Sequence, residues 1–459
     1  MRCATLFFGL LLTLTAADET ALDRYVKAPD SHFKWELVNT MEGKGFKAYV
    51  LDMTSQKWRT EQEVDKPIWR HWVTVYIPDG VKTNTAFLFI SGGSTTNPKP
   101  PSRPDILTAQ VAIDTGAVAV ELRMIPNQPL VFPDDGKPRT EDAIIAYTWD
   151  KFLRGGDEQW PLRLPMTKAA VRAMDAVTAF CASDAGGKLK VDQFVVGGAS
   201  KRGWTTWTTA AVDKRVKAIV PIVIDMLNIV PSFEHHWRVY GFWAPAIKDY
   251  EQAGIMNWTR TKRYKELMKI EEPFEYRDRL TMPKFIVNAA GDQFFIPDSS
   301  QFYWDKLKGE KYLRYVPNAD HSLSGSDALP SVIAFVDAAI KGNKPPEYEW
   351  KAEKNGDIVV KSKDKPTAVK VWMAKNPDAR DFRVEKIGRV YKSEDLSETK
   401  PGEWVAKAPK LEKGYAAYFV ELTFPSGTKH PFKFTTQVKV WPEEYSHTAF
   451  EPQTPAGQK

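Results

Sequence analysis

The chain has 459 residues, of which 43% are hydrophobic and 27% charged, with a formal net charge of +6. That length exceeds what one compact core usually organises, so one large domain plus something smaller is expected. Lys and Arg alternate with Asp and Glu rather than gathering in runs, which argues against a nucleic-acid partner and leaves room only for mild attraction to acidic surfaces or glycans.

At the N-terminus, Arg2 precedes an apolar stretch from Ala4 to Leu14 and the small residues Thr15, Ala16 and Ala17, and Asp18 and Glu19 follow at once. This is the pattern of a secretory signal peptide over residues 1–17, cut near Ala16 or Ala17. The apolar run is too short to favour an uncleaved anchor. The mature chain is then expected outside the cytoplasm, secreted or periplasmic, with no transmembrane segment. Cys3 leaves with the signal and Cys181 alone remains, so no internal disulfide is available and stability must come from core burial.

Beyond residue 18, strand patterns such as Tyr49-Val50-Leu51 and the alternating Trp72 to Ile77, ended by Pro78-Asp79-Gly80, read as antiparallel. The pattern then changes to short apolar runs, Ala86 to Ile90, Ala117 to Val120, Phe194 to Val196, Ala218 to Ile224, Phe285 to Ala289 and Tyr312 to Val316, separated by amphipathic stretches. That is the signature of a mostly parallel sheet with helices on both faces, an α/β fold. Helices are expected over Glu141 to Phe152, Thr167 to Ser183, Trp204 to Val212, Asp298 to Leu307, and Ser326 to Ile340 with Gly342 as its stop. An aromatic-rich stretch, about 228–280, reads as a helical lid inserted between two strands. After the stiff Lys344-Pro345-Pro346 linker, strand patterns over 347–442 suggest a small C-terminal β-sandwich, and 443–459 reads as an extended tail.

The chemistry concentrates where the strand Phe194-Val195-Val196 runs into Gly197-Gly198-Ala199-Ser200-Lys201-Arg202-Gly203-Trp204 and becomes helical. A serine at a sharp strand-to-helix turn must take a strained backbone conformation between small neighbours, and it sits at a helix N-terminus able to stabilise an oxyanion. The usual elbow is Gly-x-Ser-x-Gly. Here Arg202 occupies the second glycine position and Gly203 follows one residue later. An acid candidate, Asp292, follows the strand ending at Ala289, and a base candidate, His321, follows the strand ending at Val316. Nucleophile, acid and base thus arrive in the order α/β-hydrolases use, with Asp225 as the rival acid. Oxyanion or substrate-binding candidates are Lys201, whose N–H is the natural first donor, Arg202 beside it, and Gly92 and Gly93 in the loop after Phe87-Leu88-Phe89-Ile90. The adjacent pair His235-His236 lacks the spacing of common zinc motifs, so no metal is expected, and acyl transfer by serine, histidine and aspartate needs no organic cofactor.

The phrases Gly198-Ala199-Ser200-Lys201-Arg202-Gly203-Trp204-Thr205-Thr206-Trp207, Glu141 to Trp149, and Asn288-Ala289-Ala290-Gly291-Asp292-Gln293-Phe294-Phe295 resemble the PhoPQ-activated pathogenicity-related family. The resemblance runs from about Trp35 to Ile340. It implies an exported protein with an α/β-hydrolase core, tied by name to a bacterial two-component regulon, while some eukaryotic members resemble secreted growth-repressing signals. The Gly-x-Ser-x-x-Gly elbow with a basic residue after the serine is also similar to that of glucuronoyl esterases, which implies sugar esters as one substrate class. Two functions follow as expectations. One is a serine hydrolase with Ser200, His321 and Asp292, acting on an ester before an amide, in a small-molecule, glycan or peptide substrate. The other is a non-catalytic secreted signalling or binding protein on a hydrolase scaffold. Oligomeric state is not legible.

Overall fold

The computed structural model describes residues 19–457; the expected signal peptide and Cys3 lie outside them. Nine strands, β1 (Lys34–Gly43), β2 (Phe46–Lys57), β3 (Ile68–Pro78), β4 (Thr85–Ile90), β5 (Ala119–Leu122), β6 (Gln193–Ala199), β7 (Val216–Ile222), β8 (Lys284–Ala289) and β9 (Lys311–Val316), form one sheet in the order β1-β2-β3-β5-β4-β6-β7-β8-β9. The first three strands and the β3–β5 pair are antiparallel. From β5 across to β9 every pair is parallel. Parallel strands need crossovers, and the crossovers cover both faces, which is why β4 and β8 are buried along nearly their whole length.

The covering helices include α1 (Ala21–Lys27), α2 (Ile106–Thr115), α3 (Asp142–Leu153), α4 (Arg163–Ala182) and α5 (Lys201–Val212). They continue with α6 (Ile229–Tyr240), α7 (Lys248–Gln252), α8 (Lys262–Glu271) and α9 (Ala328–Lys341). Two apolar clusters result, one on each face: Trp149, Met174 and Trp207 belong to one, and Ala112, Val332 and Phe335 to the other. This is an α/β-hydrolase core. Helix α9 ends where Gly342 takes φ 69°, a left-handed turn glycine adopts without strain. Helix α2 escaped the periodicity reading because Ile106, Leu107 and Ile113 face solvent, which blurs its apolar stripe; Asp105 caps it instead, accepting from Thr108 N–H at 2.8 Å.

The helix expected over Asp298 to Leu307 is a correction. The segment makes two 3₁₀ turns, Ser299–Phe302 and Trp304–Lys306. Tyr303 between them has φ −135°, outside the helical range, because its hydroxyl is drawn down to Asp225 at 2.6 Å. Asp298, the first residue of the expected helix, is taken by Arg380 and His235.

After Pro346 come β10 (Tyr348–Ala352), β11 (Ile358–Ser362), β12 (Ala368–Asn376), β13 (Lys392–Asp395), β14 (Glu403–Ala406), β15 (Tyr415–Phe424), β16 (Phe432–Thr435) and β17 (Lys439–Trp441). Strands β10-β11-β14 make one antiparallel sheet and β13-β12-β15-β16, with β17 beside β15, another. Their inward residues, such as Val360, Trp404 and Val420, join the second core cluster. The unit docks on the open edge of the main sheet: Thr435 Oγ1 accepts from Tyr315 N–H at 2.9 Å, and Phe434 stacks on Tyr312 at 4.8 Å. An exposed sheet edge is an aggregation hazard, and this docking removes it. Residues 443–457 carry no helix or strand but are held down: Tyr445 lies 3.8 Å over Arg238, and Phe450 wedges against Trp237 and Trp243 at 4.9 and 5.0 Å.

Candidate active site

Strand β6 delivers Ser200 to the first turn of α5. Ser200 has φ 58° and ψ −128°, a conformation that costs a non-glycine residue energy and marks a strained elbow. The glycine placement explains the departure from the usual spacing. A Cβ on Gly203 would lie 2.8 Å from Gly198 O, and one on Gly198 would lie 2.7 Å from Arg202 O. Strand and helix therefore touch through Gly198 and Gly203, and Arg202 points away from that contact. Ser200 N–H donates to Ile222 O at 2.8 Å, which pins the elbow to β7. Two further loops of the same sheet carry the acid and base candidates.

Those loops follow β8 and β9. Asp292 is buried and its Oδ2 lies 2.8 Å from His321 Nδ1. Asp292 Oδ1 accepts from Phe294 N–H at 2.7 Å, and His321 N–H donates to Gln293 Oε1 at 3.0 Å. Phe294 lies beside the imidazole, tilted by 39° with centroids 4.3 Å apart. A carboxylate on Nδ1 fixes the tautomer that leaves Nε2 as a proton acceptor. No hydrogen bond joins the Ser200 hydroxyl to His321 among the described residues; such contacts commonly tighten only with substrate bound.

Asp225, the rival acid, stands apart from His321. Its two carboxylate oxygens accept from Tyr303 and Tyr315 hydroxyls, both at 2.6 Å. Burial pushes its pKa up to about 7, the tyrosine hydrogen bonds opposing and the charges of Asp292 and Asp298 adding. In α6, His236 accepts from Ala244 N–H at 3.0 Å, and burial pulls its pKa down to about 3. The two groups act in opposite directions. A carboxyl with a raised native pKa gains stability for the fold as pH falls from about 7 to its unfolded value near 4, whereas a histidine with a depressed one loses stability as pH falls below about 6.5. Asp225→Asn should therefore lose more stability than the parent between pH 7 and pH 4, by on the order of 4 kcal/mol. Urea melts at four pH values check this; a parallel displacement of the two curves would contradict it.

The oxyanion candidates sit as follows. Gly92 and Gly93 follow β4, with Gly93 at φ 135°, and Gly92 O and Gly93 O accept from Met124 N–H and Gln128 Nε2 at 2.8 and 3.1 Å. The loop is thus tied by its carbonyls. The side chains of Lys201 and Arg202 are committed elsewhere. Lys201 Nζ lies 2.8 Å from Glu141 and 3.1 Å from Asp142, and Arg202 makes a fork to Glu141 at 2.6 and 2.8 Å while donating to Ile125 O. A Cβ on Gly92 would lie 2.8 Å from the Arg202 guanidinium, so Arg202 buttresses the glycine loop.

Glu141 is the residue the sequence reading passed over. It takes φ 53° and ψ −128°, a second strained position matching Ser200, and is held there by Gln128, which accepts from its N–H at 2.8 Å and donates to its carboxylate at 2.6 Å. Burial raises its pKa, but the Arg202 hydrogen bond and the charges of Lys201 and Arg202 outweigh this and hold it at about 2. The only available signal was the unusual pairing of an acidic dipeptide with a basic one next to the serine. Glu141→Gln should cost about 1–3 kcal/mol through two weakened charged hydrogen bonds. If the serine site turns over ester, kcat should fall about tenfold or more with KM little changed, since the clamp orients rather than binds. Denaturant melts and steady-state kinetics read the two effects.

Beneath the elbow, Trp204 is buried and donates to Glu271 O at 2.6 Å. Arg163 and Glu271 form a fully buried pair at 3.2 Å, and Arg163 Nη1 donates to Lys201 O and Thr205 Oγ1 at 2.7 and 2.8 Å. The helical insertion is thus bolted to the nucleophile helix.

With this geometry in view, residues 22–383 match the family described as PhoPQ-activated pathogenicity-related protein. The chain belongs to that family. Ser200, Asp292, His321 and Glu141 all fall within the PhoPQ-related match, whereas β13 to β17 lie beyond it. A relative, autocrine proliferation repressor protein A of Dictyostelium discoideum, is 40% identical over 465 residues, covering 94% of this chain and 93% of its own length. Among solved structures, acetyl xylan esterase 1 from Thermoanaerobacterium sp. JW/SL YS485 aligns over 70% of this chain and 92% of its own, at 13% identity and TM-score 0.46. The glucuronoyl esterase from Solibacter usitatus aligns over 68% and 87%, at 14% identity and TM-score 0.38. No described helix is long and apolar enough to cross a membrane.

Proposed function

We propose that the protein is an exported serine hydrolase that cleaves a carboxylic ester, with an amide as the less favoured substrate. The observation that carries this reading is the strained Ser200 at a helix N-terminus, in a sheet whose β8 and β9 are followed by the Asp292–His321 pair at 2.8 Å. In this mechanism Ser200 Oγ attacks the carbonyl carbon and His321 Nε2 takes its proton. Asp292 stabilises the imidazolium, and Lys201 N–H with the Gly92-Gly93 N–H groups holds the oxyanion. Collapse expels the alcohol, which takes the proton from His321, and water then repeats the sequence to release the acid. The helical insertion and the C-terminal unit select the substrate, a small-molecule, glycan or peptide ester. Every group needed belongs to the chain, so the mechanism calls for no cofactor.

The test is a fluorophosphonate probe applied to the native and heat-denatured protein, followed by a screen of short-chain acyl and sugar esters. Labelling confined to the native form supports the reading; absence of both labelling and turnover removes it.

A second reading is favoured by the 40% identity to a protein named as a proliferation repressor: a secreted signal that uses the hydrolase scaffold as a surface. On that reading the Ser200→Ala protein represses growth as well as the parent does. Loss of repression in Ser200→Ala ties the signal to the chemistry.

A further inference from the structure

A cleft of about 770 Å³ opens between the loop that follows β8 and the C-terminal unit, within the ~300–1,000 Å³ range of small-molecule sites. None of Ser200, Asp292 and His321 lines it. One wall is a shelf of three rings: Trp304 lies 5.1 Å from Trp350, and Trp350 stacks at 5.6 Å and 23° on Tyr348. Arg380, more than nine-tenths buried, also lines the cleft. Its Nη2 donates to Asp298 at 2.7 Å, while Nε and Nη1 have no hydrogen-bond partner among the described residues. Asp298 is also fixed by His235 at 2.8 Å. Burial raises its pKa, but the charges of Arg380 and His235 hold it well below the usual carboxylate range.

An arginine held rigid by one carboxylate, with two donors unanswered, is a socket for an oxygen-rich group, because a buried N–H without an acceptor is costly and a ligand oxygen relieves it. Of the three, the half-buried Trp350 supplies an apolar ring of the size of a pyranose. Between them Gln301, Glu349 and Gln437 supply donors and acceptors of both kinds. The walls carry cations and anions in near balance, which disfavours a polyanion or polycation, and they are too polar for a lipid or an apolar helix.

We propose that this cleft binds a short oligosaccharide, with a ring face on the Trp350 shelf and a hydroxyl or carboxylate oxygen at Arg380. Binding here needs no chemistry at Ser200 and stands whether or not the serine site is active. Asp298, which lines the cleft, lies six residues after Asp292 in the same loop.

The test is affinity electrophoresis of the full mature chain through gels containing glucuronoxylan or a neutral mixed-linkage β-glucan. The parent and Ser200→Ala should be retarded alike in at least one gel. Trp350→Ala should weaken retardation about tenfold or more, and Trp350→Phe, which keeps an aromatic face, should retain most of it. Retardation confined to glucuronoxylan and reduced in Arg380→Lys assigns a carboxylate to the arginine; retardation in both gels assigns a hydroxyl. Migration unaltered by either polysaccharide overturns the proposal, as does retardation that Trp350→Ala, verified folded by circular dichroism, leaves intact.

Discussion

Ser200→Ala is expected to abolish fluorophosphonate labelling and to lower kcat for any ester the parent turns over by about 10³-fold or more, with little change in stability. The size follows from the role: without the hydroxyl no acyl-enzyme forms, and what survives is the contribution of oxyanion donors and binding to attack by water. Stability should hold because the elbow's strain is carried by backbone that alanine keeps, with Ser200 N–H still on Ile222 O at 2.8 Å, and because the side chain forms no hydrogen bond among the described residues. His321→Ala should reach a comparable floor, and the double variant should be little worse than either, since residues acting as one unit are not additive. Undiminished turnover in Ser200→Ala would assign the hydrolysis to another group.

Glu271→Ala is expected to lose about 3–5 kcal/mol of stability. Both members of the Arg163–Glu271 pair are fully buried, and burial already lowers the Arg163 pKa against the opposing charge of Glu271. Arg163 keeps its charge nonetheless, because a guanidinium does not give up its proton near neutrality. Alanine at 271 therefore strands a cation in the core, and that stranded charge sets the cost more than the net worth of the pair does. The loss should reach the serine site, because Arg163 also holds Lys201 O and Thr205 Oγ1, the first turn of the nucleophile helix. Glu271→Gln, which keeps an acceptor, should fall between the parent and alanine. Urea denaturation reads the order. A change below about 1 kcal/mol in Glu271→Ala would mean that Arg163 finds another partner or reaches water.

Both sites show where local and non-local information divide. The alternation of apolar runs with amphipathic stretches was enough to place β4, β6, β8 and β9, because a strand buried on both faces must be apolar throughout. The elbow was legible for a related reason: small residues bracket Ser200 wherever strand and helix must touch. Asp292 and His321 were legible because each follows a strand of the same sheet, and parallel topology sends successive carboxyl ends to one rim. Helix α2 was not, since its outward Ile106 and Leu107 spoil the period.

What the amino-acid order determined by itself was the α/β core, the order of the three candidate site residues and the strain at Ser200, all set by short-range sterics and the period of apolar side chains. Tertiary structure alone decided that Glu141 claims Lys201 and Arg202, that Tyr303 and Tyr315 rather than His321 claim Asp225, and that Asp298 leaves its helix for Arg380. Those partners lie 60 or more residues apart in the chain. A charge chooses among distant partners by which neighbour shares its burial, and burial exists only once the chain has folded.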